Sequence, residues 1–317
     1  MNFSSAWKLL RQTFADWSED KAPQLGASLA FYSALSIAPL LVIALSIAAF
    51  FLDGQSARGR VIEEFQGLVG SEGGKAIEDM IDSANKPGAG IIATILSVVT
   101  LLLGASGVFG QLQNALNTIW EVKPKKGRGI FGFIKDHFLS FAMVLGVAFL
   151  LLVSLLLTTA IAALGLSADR LPDTLHWLAQ VVNFGVSFVI ITALFAMIFK
   201  LLPDVKLACS DVWFGAIITA VLFTIGKFAI GLYLGHSSMA SSYGVAGSFV
   251  VLLVWTYYSA QILFFGAELT QVYANSYGSH IVPAENAEPL KESDRENEGR
   301  PHKESEKRPT AGSHDQA

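Results

Sequence analysis

The sequence predicts an all-α protein, a polytopic bundle of six transmembrane helices with an N-terminal interfacial helix and a helical external loop between spans 1 and 2. Three observations predict it. Six apolar runs fill most of the chain between residues 25 and 274; the charges well inside them are Lys227 and Glu268, with Lys200 at the end of the fourth; and lysines and arginines crowd the loops of one side. Each run exceeds the ~20 residues that a helix needs to cross ~30 Å of hydrocarbon. With 52% hydrophobic residues, 15% charged residues and a mean hydropathy of +0.50, the chain is too apolar for a soluble domain, whose helices would each show a polar face.

Residues 1–24 lack the apolar core and cleavage site of a signal peptide. Phe3, Trp7, Leu10, Phe14 and Trp17 recur at steps of four and three, which stacks them on one helix face with Lys8 and Arg11 turned away. Two readings fit: a helix lying in the headgroup region, or one packed on the protein's own cytoplasmic side. The membrane domain, 25–275, contains spans at about 25–52, 90–116, 138–166, 178–202, 212–234 and 245–274.

Between the first two spans, residues 53–87 carry Val61, Phe65 and Leu68, then Ile77, Met80, Ile81 and Ala84, at helical spacing around Gly70, Gly73 and Gly74. Two short amphipathic helices are expected, either a structural cap or a lid. Lys8, Arg11, Lys21, Lys123, Lys125, Lys126, Arg128, Lys135, Lys200 and Lys206 fall on one side of the six spans, against Arg58, Arg60, Lys75, Lys86 and Arg170 on the other. This roughly two-to-one bias puts both termini in the cytoplasm. Residues 276–317 form a cytoplasmic tail, and the loss of large apolar residues predicts disorder from about residue 283.

Polar residues inside the spans are the candidates for function, because lipid offers them no partner. In the first span Gly26, Ala30, Ala34 and Ala38 form a small-residue stripe suited to close helix packing, while Ser28, Tyr32 and Ser36 form a hydroxyl line about 200° away. That line either lines a cavity or makes interhelical hydrogen bonds. Pro39 removes a backbone donor and is expected to kink the helix. In the second span Gln111, Gln113, Asn114 and Asn117 either contact a polar substrate or mark the helix leaving the bilayer.

Lys227 and Glu268 are expected some 20 Å apart along the membrane normal, too far to pair. Glu268 is expected to meet Lys200, Lys206 or a cation of the 123–135 loop; Lys227 either snorkels outward or forms an anion or headgroup site, near the Gly231/Gly235 packing pair and Tyr243. The six histidines are scattered without HExxH or related spacing, and no GxSxG, P-loop or dinucleotide fingerprint occurs. No cofactor, no metal and no nucleic-acid partner is therefore expected, and the reading leans away from an enzyme. Cys209, the single cysteine, excludes an intramolecular disulfide.

Five separated segments carry a family resemblance: LGASLAFYSALSIAPLL in the first span, ALNTIWEVKPKKGRG after the second, LLPDVKLACSDVWFGAI before the fifth, KFAIGLYL closing it, and YGVAGSFVVLLVWTYYSAQILFFGAEL in the sixth. Over residues 1 to about 275 the chain resembles the YihY/BrkB family of bacterial inner-membrane proteins, which also carries the label ribonuclease BN. The resemblance implies a multi-pass inner-membrane protein connected with solute export or lipid movement. The leading expectation is a transporter-like protein moving an amphiphile, lipid or small organic solute through a cavity between the first, second, fifth and sixth spans. Its partners would be membrane lipids, with a homo-oligomer allowed. Two alternatives remain: a membrane scaffold or regulatory protein docking unknown protein partners on the 123–135 loop or the tail, and ribonuclease BN-type tRNA processing, for which no catalytic site is visible.

Overall fold

A computed structural model describes residues 3–51, 58–59, 62–63, 66, 74–75, 77–79, 81–82, 107–125, 176–236, 247–279 and 281–297. Its described residues are mostly helical. In chain order they form α1 (Phe3–Glu19), α2 (Ala22–Phe51), α3 (residues 107–119), β1 (Val122–Pro124), α4 (His176–Leu201), β2 (Val205–Lys206), α5 (Cys209–His236), α6 (Gly247–Ser276), β3 (Val282–Pro283), β4 (Ala287–Pro289) and α7 (Glu292–Asn297). Within α4, α5 and α6, the stretches Gln180–Leu201, Cys209–Leu234 and Phe249–Ser276 are long and apolar enough to cross a membrane. α2 covers the first expected span. The third span and most of the second lie outside the described residues.

Local chemistry sets the helix ends. Lys21 (φ 53°) and Glu121 (φ 55°) take left-handed backbone conformations, so α1 breaks from α2 and α3 stops before β1. α4 ends ahead of Pro203, whose ring disfavours helical geometry in the preceding residue. Asp211 in the first turn of α5 sits where the helix dipole favours an anion. Its carboxylate accepts hydrogen bonds from the Ser279 amide (2.9 Å) and hydroxyl (2.8 Å), tying the start of α5 to the end of α6.

The main core joins α2, α3, α4, α5 and α6 around Trp120, Phe199, Leu202, Phe264, Leu116 and Ile119. Outward faces stay apolar. On α5 the exposed residues Trp213, Ile217, Val221, Ile225, Phe228 and Leu232 recur at three- and four-residue steps, a stripe that is stable only beside an apolar medium.

α1 packs on the protein. Its buried face is Leu9, Thr13 and Asp16, continued by Asp20 just after the helix, while Trp7, Leu10 and Phe14 are exposed and Trp17 is half-buried. Leu9 packs with Leu269 and Val272, whereas Phe14 and Trp17 approach Tyr258, Ile262 and Phe265. α1 therefore runs lengthwise along α6. In the segment between α2 and α3 Arg58 reaches Glu78 (3.4 Å) and Asp82 (2.7 Å), one turn apart, and Ile77 and Ile81 are buried. The expected positions Val61, Phe65, Leu68, Gly70, Gly73, Met80 and Ala84 lie outside the described residues.

The disorder expected from about residue 283 is not what residues 283–297 show. β3 pairs antiparallel with β2, and β4 with β1, in the register Val122↔Pro289, Lys123↔Glu288, Pro124↔Ala287. Ala287 and Arg295 are buried. Strand edges supplied by loops some 80 to 170 residues earlier pair with this segment, partners that its own composition does not reveal.

Candidate functional site

Two polar assemblies and one groove occupy the described bundle. At the end where α5 begins and α6 finishes, here the inner end, Asp204 is a buried hub. Asn117 Nδ2 (3.1 Å) and Gln113 Nε2 (3.4 Å) donate to its Oδ2, and Asn286 Nδ2 (3.1 Å) donates to its Oδ1. The Asp204 amide donates to Asn117 Oδ1 (2.8 Å), and its carbonyl accepts from the Ala284 amide (2.9 Å). One aspartate thus joins α3, the α4–α5 loop and the tail.

Nearby, Arg295 of α7 places Nη2 3.3 Å from Asp20 Oδ1 and Nη1 3.9 Å from Glu121 Oε1; Asp20 and Arg295 are both buried. Lys123 pairs with Asp294 (2.5 Å) and Glu288 (3.5 Å), and Lys206 with Glu285 (3.3 Å). The hydrogen bond from Lys123 holds the Asp294 carboxyl below the usual carboxylate range, and the same bond raises the Lys123 ammonium. Among the described cations expected near Glu268, Lys123, Lys125 and Lys206 contact the tail, while Lys200 donates to the Leu207 carbonyl; Lys126, Arg128 and Lys135 lie outside the described residues.

The second assembly is the α5–α6 crossing. Thr270 of α6 stands over Gly215 of α5, and Thr219 of α5 stands over Gly266 of α6; a Cβ added at either glycine would lie 2.7 or 2.8 Å from the facing threonine Cβ. Each threonine hydroxyl donates to the carbonyl four residues earlier, which is its own helix's glycine: Thr219 to Gly215 (2.7 Å) and Thr270 to Gly266 (2.6 Å). Two Gly-x-x-x-Thr units thus interlock with their hydroxyls satisfied, and the helices approach closely. Gly215→Ala should destabilise the protein by about 1–3 kcal/mol through overpacking. Adding Thr270→Ala should recover part of that loss in thermal unfolding of the detergent-solubilised protein. Strictly additive losses would show that the two residues are not coupled.

The same register places Gly226 against Tyr258 and Ile262, so Lys227 lies level with about residue 258. Glu268 is ten residues further along α6, about 15 Å at 1.5 Å per residue. The separation is shorter than the expected 20 Å and still too long for an ion pair. Lys227 is half-buried and Glu268 fully buried.

Other sequence candidates separate. Gly26, Ala30 and Ala34 are buried, and Gly26 lies against Gln261 of α6. Ser28 and Ser36 donate to the carbonyls of Gln24 (3.1 Å) and Tyr32 (2.8 Å) in their own helix. The Tyr32 ring rests on Gly107 of α3. Gln111 is half-buried, Asn114 exposed, and Asn117 belongs to the Asp204 hub. A side chain at Gly231 would meet open space. Tyr243 lies outside the described residues, as do the side-chain positions of Ala38, Pro39 and Gly235.

None of the described candidate path residues lines the groove. It measures about 350 Å³ and lies between α1, α5 and α6, lined by Phe14, Trp17, Leu222, Ile225, Gly226, Tyr258, Gln261, Ile262 and Phe265. The exposure of Phe14 and Ile225 opens it sideways rather than toward either end. The sequence places Trp17 on an amphipathic face, whereas Tyr258 and Gln261 went unmarked there. The four-residue spacing of Gly215–Thr219 and Gly266–Thr270 was a legible signal for the crossing that frames the groove.

Comparison with known proteins follows this architecture. The family described as "Virulence factor BrkB" matches residues 13–291, beyond the 275 expected and through β3 and β4 of the tail. A UPF0761 membrane protein of Actinobacillus pleuropneumoniae is 28% identical over 259 residues, covering 80% of this chain and 89% of that protein. One from Vibrio vulnificus is 28% identical over 282 residues, covering 87% and 85%. One from Pseudomonas aeruginosa is 28% identical over 261 residues, covering 79% of this chain and 59% of its own length. No solved structure matches.

Proposed function

Because the chain belongs to the BrkB family of membrane proteins, we propose that it is a six-span protein of the bacterial inner membrane, with both termini cytoplasmic, that moves a lipid-like amphiphile along a laterally open path. The carrying observation is the groove between α1, α5 and α6, which is apolar, opens to the side and holds a few uncharged polar groups. A path for a water-soluble solute would need polar walls sheltered inside the bundle. A path for an amphiphile needs an apolar wall continuous with lipid and a small polar station, which is the arrangement that the lining residues supply.

The topology rests on the inner end. Lys21, Lys123, Lys125, Lys200, Lys206 and Arg295 belong to segments that converge there, and cation-rich loops are retained in the cytoplasm. Lys123, Lys125 and Lys206 are engaged by the tail, which favours a transporter-like reading over a scaffold that offers them to a partner.

The test is reconstitution of the purified full-length protein into liposomes carrying a fluorescent short-chain lipid. Transbilayer exchange should exceed that of protein-free vesicles. Leu222→Trp, which fills the groove from its rim, should return exchange at least tenfold toward background while thermal stability changes little. Exchange that is unaffected by this substitution would remove the groove from the path.

A further inference from the structure

We infer that the exposed face of α1 is a docking surface for anionic phospholipid of the inner leaflet, with Trp7, Leu10 and Phe14 among the acyl chains and Lys8 and Arg11 on the lipid phosphates. This surface stands whether or not the groove moves an amphiphile. At 100° per residue α1 divides into three sectors. Leu9, Thr13 and Asp16 are buried against the protein. Leu10, Phe14 and Trp7, all exposed, occupy an arc of about 60°, and the half-buried Trp17 lies between that arc and the buried face. Arg11 and Lys8, also exposed, come next, about 40° and 100° beyond Trp7. Protein, hydrocarbon and headgroup are the three surroundings that satisfy these sectors in turn.

The apolar sector continues a surface that needs lipid already. Phe14 lines the same groove as Ile225, and Ile225 belongs to the outward apolar stripe of α5, so one apolar medium reaches both helices. Trp213 at the start of α5 and Tyr277 just after α6 are exposed at the same end, where aromatic side chains mark a membrane–water boundary. Cations at that boundary meet phosphates. Among the described residues neither Lys8 nor Arg11 makes an ion pair, in contrast to Lys123, Lys206 and Arg295. The acids of α1 do not neutralise them, because Asp16 is buried and Glu19 lies ~12 Å further along the helix than Arg11. A zwitterionic headgroup offers its phosphate together with an ammonium that repels the two cations; an anionic headgroup offers net negative charge. Arg11 precedes Phe14 by three residues, so a phosphate held there sits beside the rim of the groove.

The test uses the full-length protein. In a Cys209→Ser background, which removes the single cysteine, Leu10→Cys and Ser4→Cys each carry a nitroxide label in nanodiscs of phosphatidylcholine and phosphatidylglycerol. Ser4 is exposed and lies between Arg11 and Lys8 around the helix. The label at position 10 should be relaxed by oxygen and shielded from a water-soluble nickel chelate, and the label at position 4 should show the reverse. In detergent, native mass spectrometry should find dioleoyl phosphatidylglycerol retained by the unsubstituted protein at roughly tenfold lower concentration than dioleoyl phosphatidylcholine. Lys8→Gln combined with Arg11→Gln should reduce that preference about three- to tenfold, with thermal unfolding in lipid-free detergent unchanged because both side chains are exposed. A label at position 10 that both reagents reach puts the face in water, and one that neither reaches puts it under a second copy or another protein; either result overturns the docking. Equal retention of the two lipids, or a preference unchanged in the glutamine pair, overturns the assignment of the cations to phosphate.

Discussion

Replacing Arg295 with alanine should cost about 3–5 kcal/mol of stability, because it removes the guanidinium that faces the Asp20 carboxylate in a site closed to water. The two groups are buried, and Arg295 Nη2 stands 3.3 Å from Asp20 Oδ1. A surface pair would be worth far less, so the magnitude itself reports the burial. Thermal unfolding of the purified protein in detergent measures the loss. Adding Asp20→Asn, which removes the buried carboxylate's charge at nearly constant volume, should restore part of it. A loss below about 1 kcal/mol for Arg295→Ala would mean that water reaches the pair. The same variant probes α1, whose last turn Asp20 follows and whose Phe14 and Trp17 form one side of the groove.

Asp204→Ala is the second large effect. The substitution removes the acceptor for Asn117 Nδ2, Gln113 Nε2 and Asn286 Nδ2; Asn117 is buried, and the other two are part-buried and within reach of water. At about 1–3 kcal/mol for the buried group and less for each of the others, a loss of about 2–4 kcal/mol is expected. Its location distinguishes it from general destabilisation. Asn286 belongs to the tail, so residues 282–290 should become the first site of limited proteolysis, while the α5–α6 crossing stays protected. A variant that unfolds without early cleavage in the tail would show that Asp204 supports the bundle as a whole rather than the tail docking.

The two predictions concern residues that sequence reasoning left unmarked, and the cause is the same for both. Asp204 sits in a short loop where an aspartate is unremarkable, and Arg295 lies in a segment with a disordered composition. Their importance comes from partners 87 and 275 positions away in the chain. No local pattern encodes such a distance. The hydroxyl line Ser28, Tyr32 and Ser36 shows the converse. Its periodicity is real, yet Ser28 and Ser36 return their hydrogens to their own helix, which one-dimensional spacing cannot distinguish from hydroxyls that face a cavity.

Glycine gives an intermediate case. A small residue every fourth position announces that helices approach, and Gly26, Ala30 and Ala34 are buried as a stripe on α2. Gly231 belongs to a similar pattern and faces open space. Which stripe meets a partner depends on how each helix is rotated about its axis, and that rotation follows from the fit of all its neighbours together.

The sequence by itself determined the membrane class and the approximate limits of the spans described, because apolar length and the lack of backbone partners in lipid act on each segment separately. It also carried the family resemblance, since motifs are read along the chain. The tertiary structure alone decided the antiparallel register of α5 and α6, the docking of the tail on Asp204 and Asp20, the lengthwise seat of α1, and the groove between them. Those features depend on which surfaces meet. Contact between residues far apart in the chain is a property of the folded bundle, and hydropathy, which every span shares, does not choose among the possible meetings.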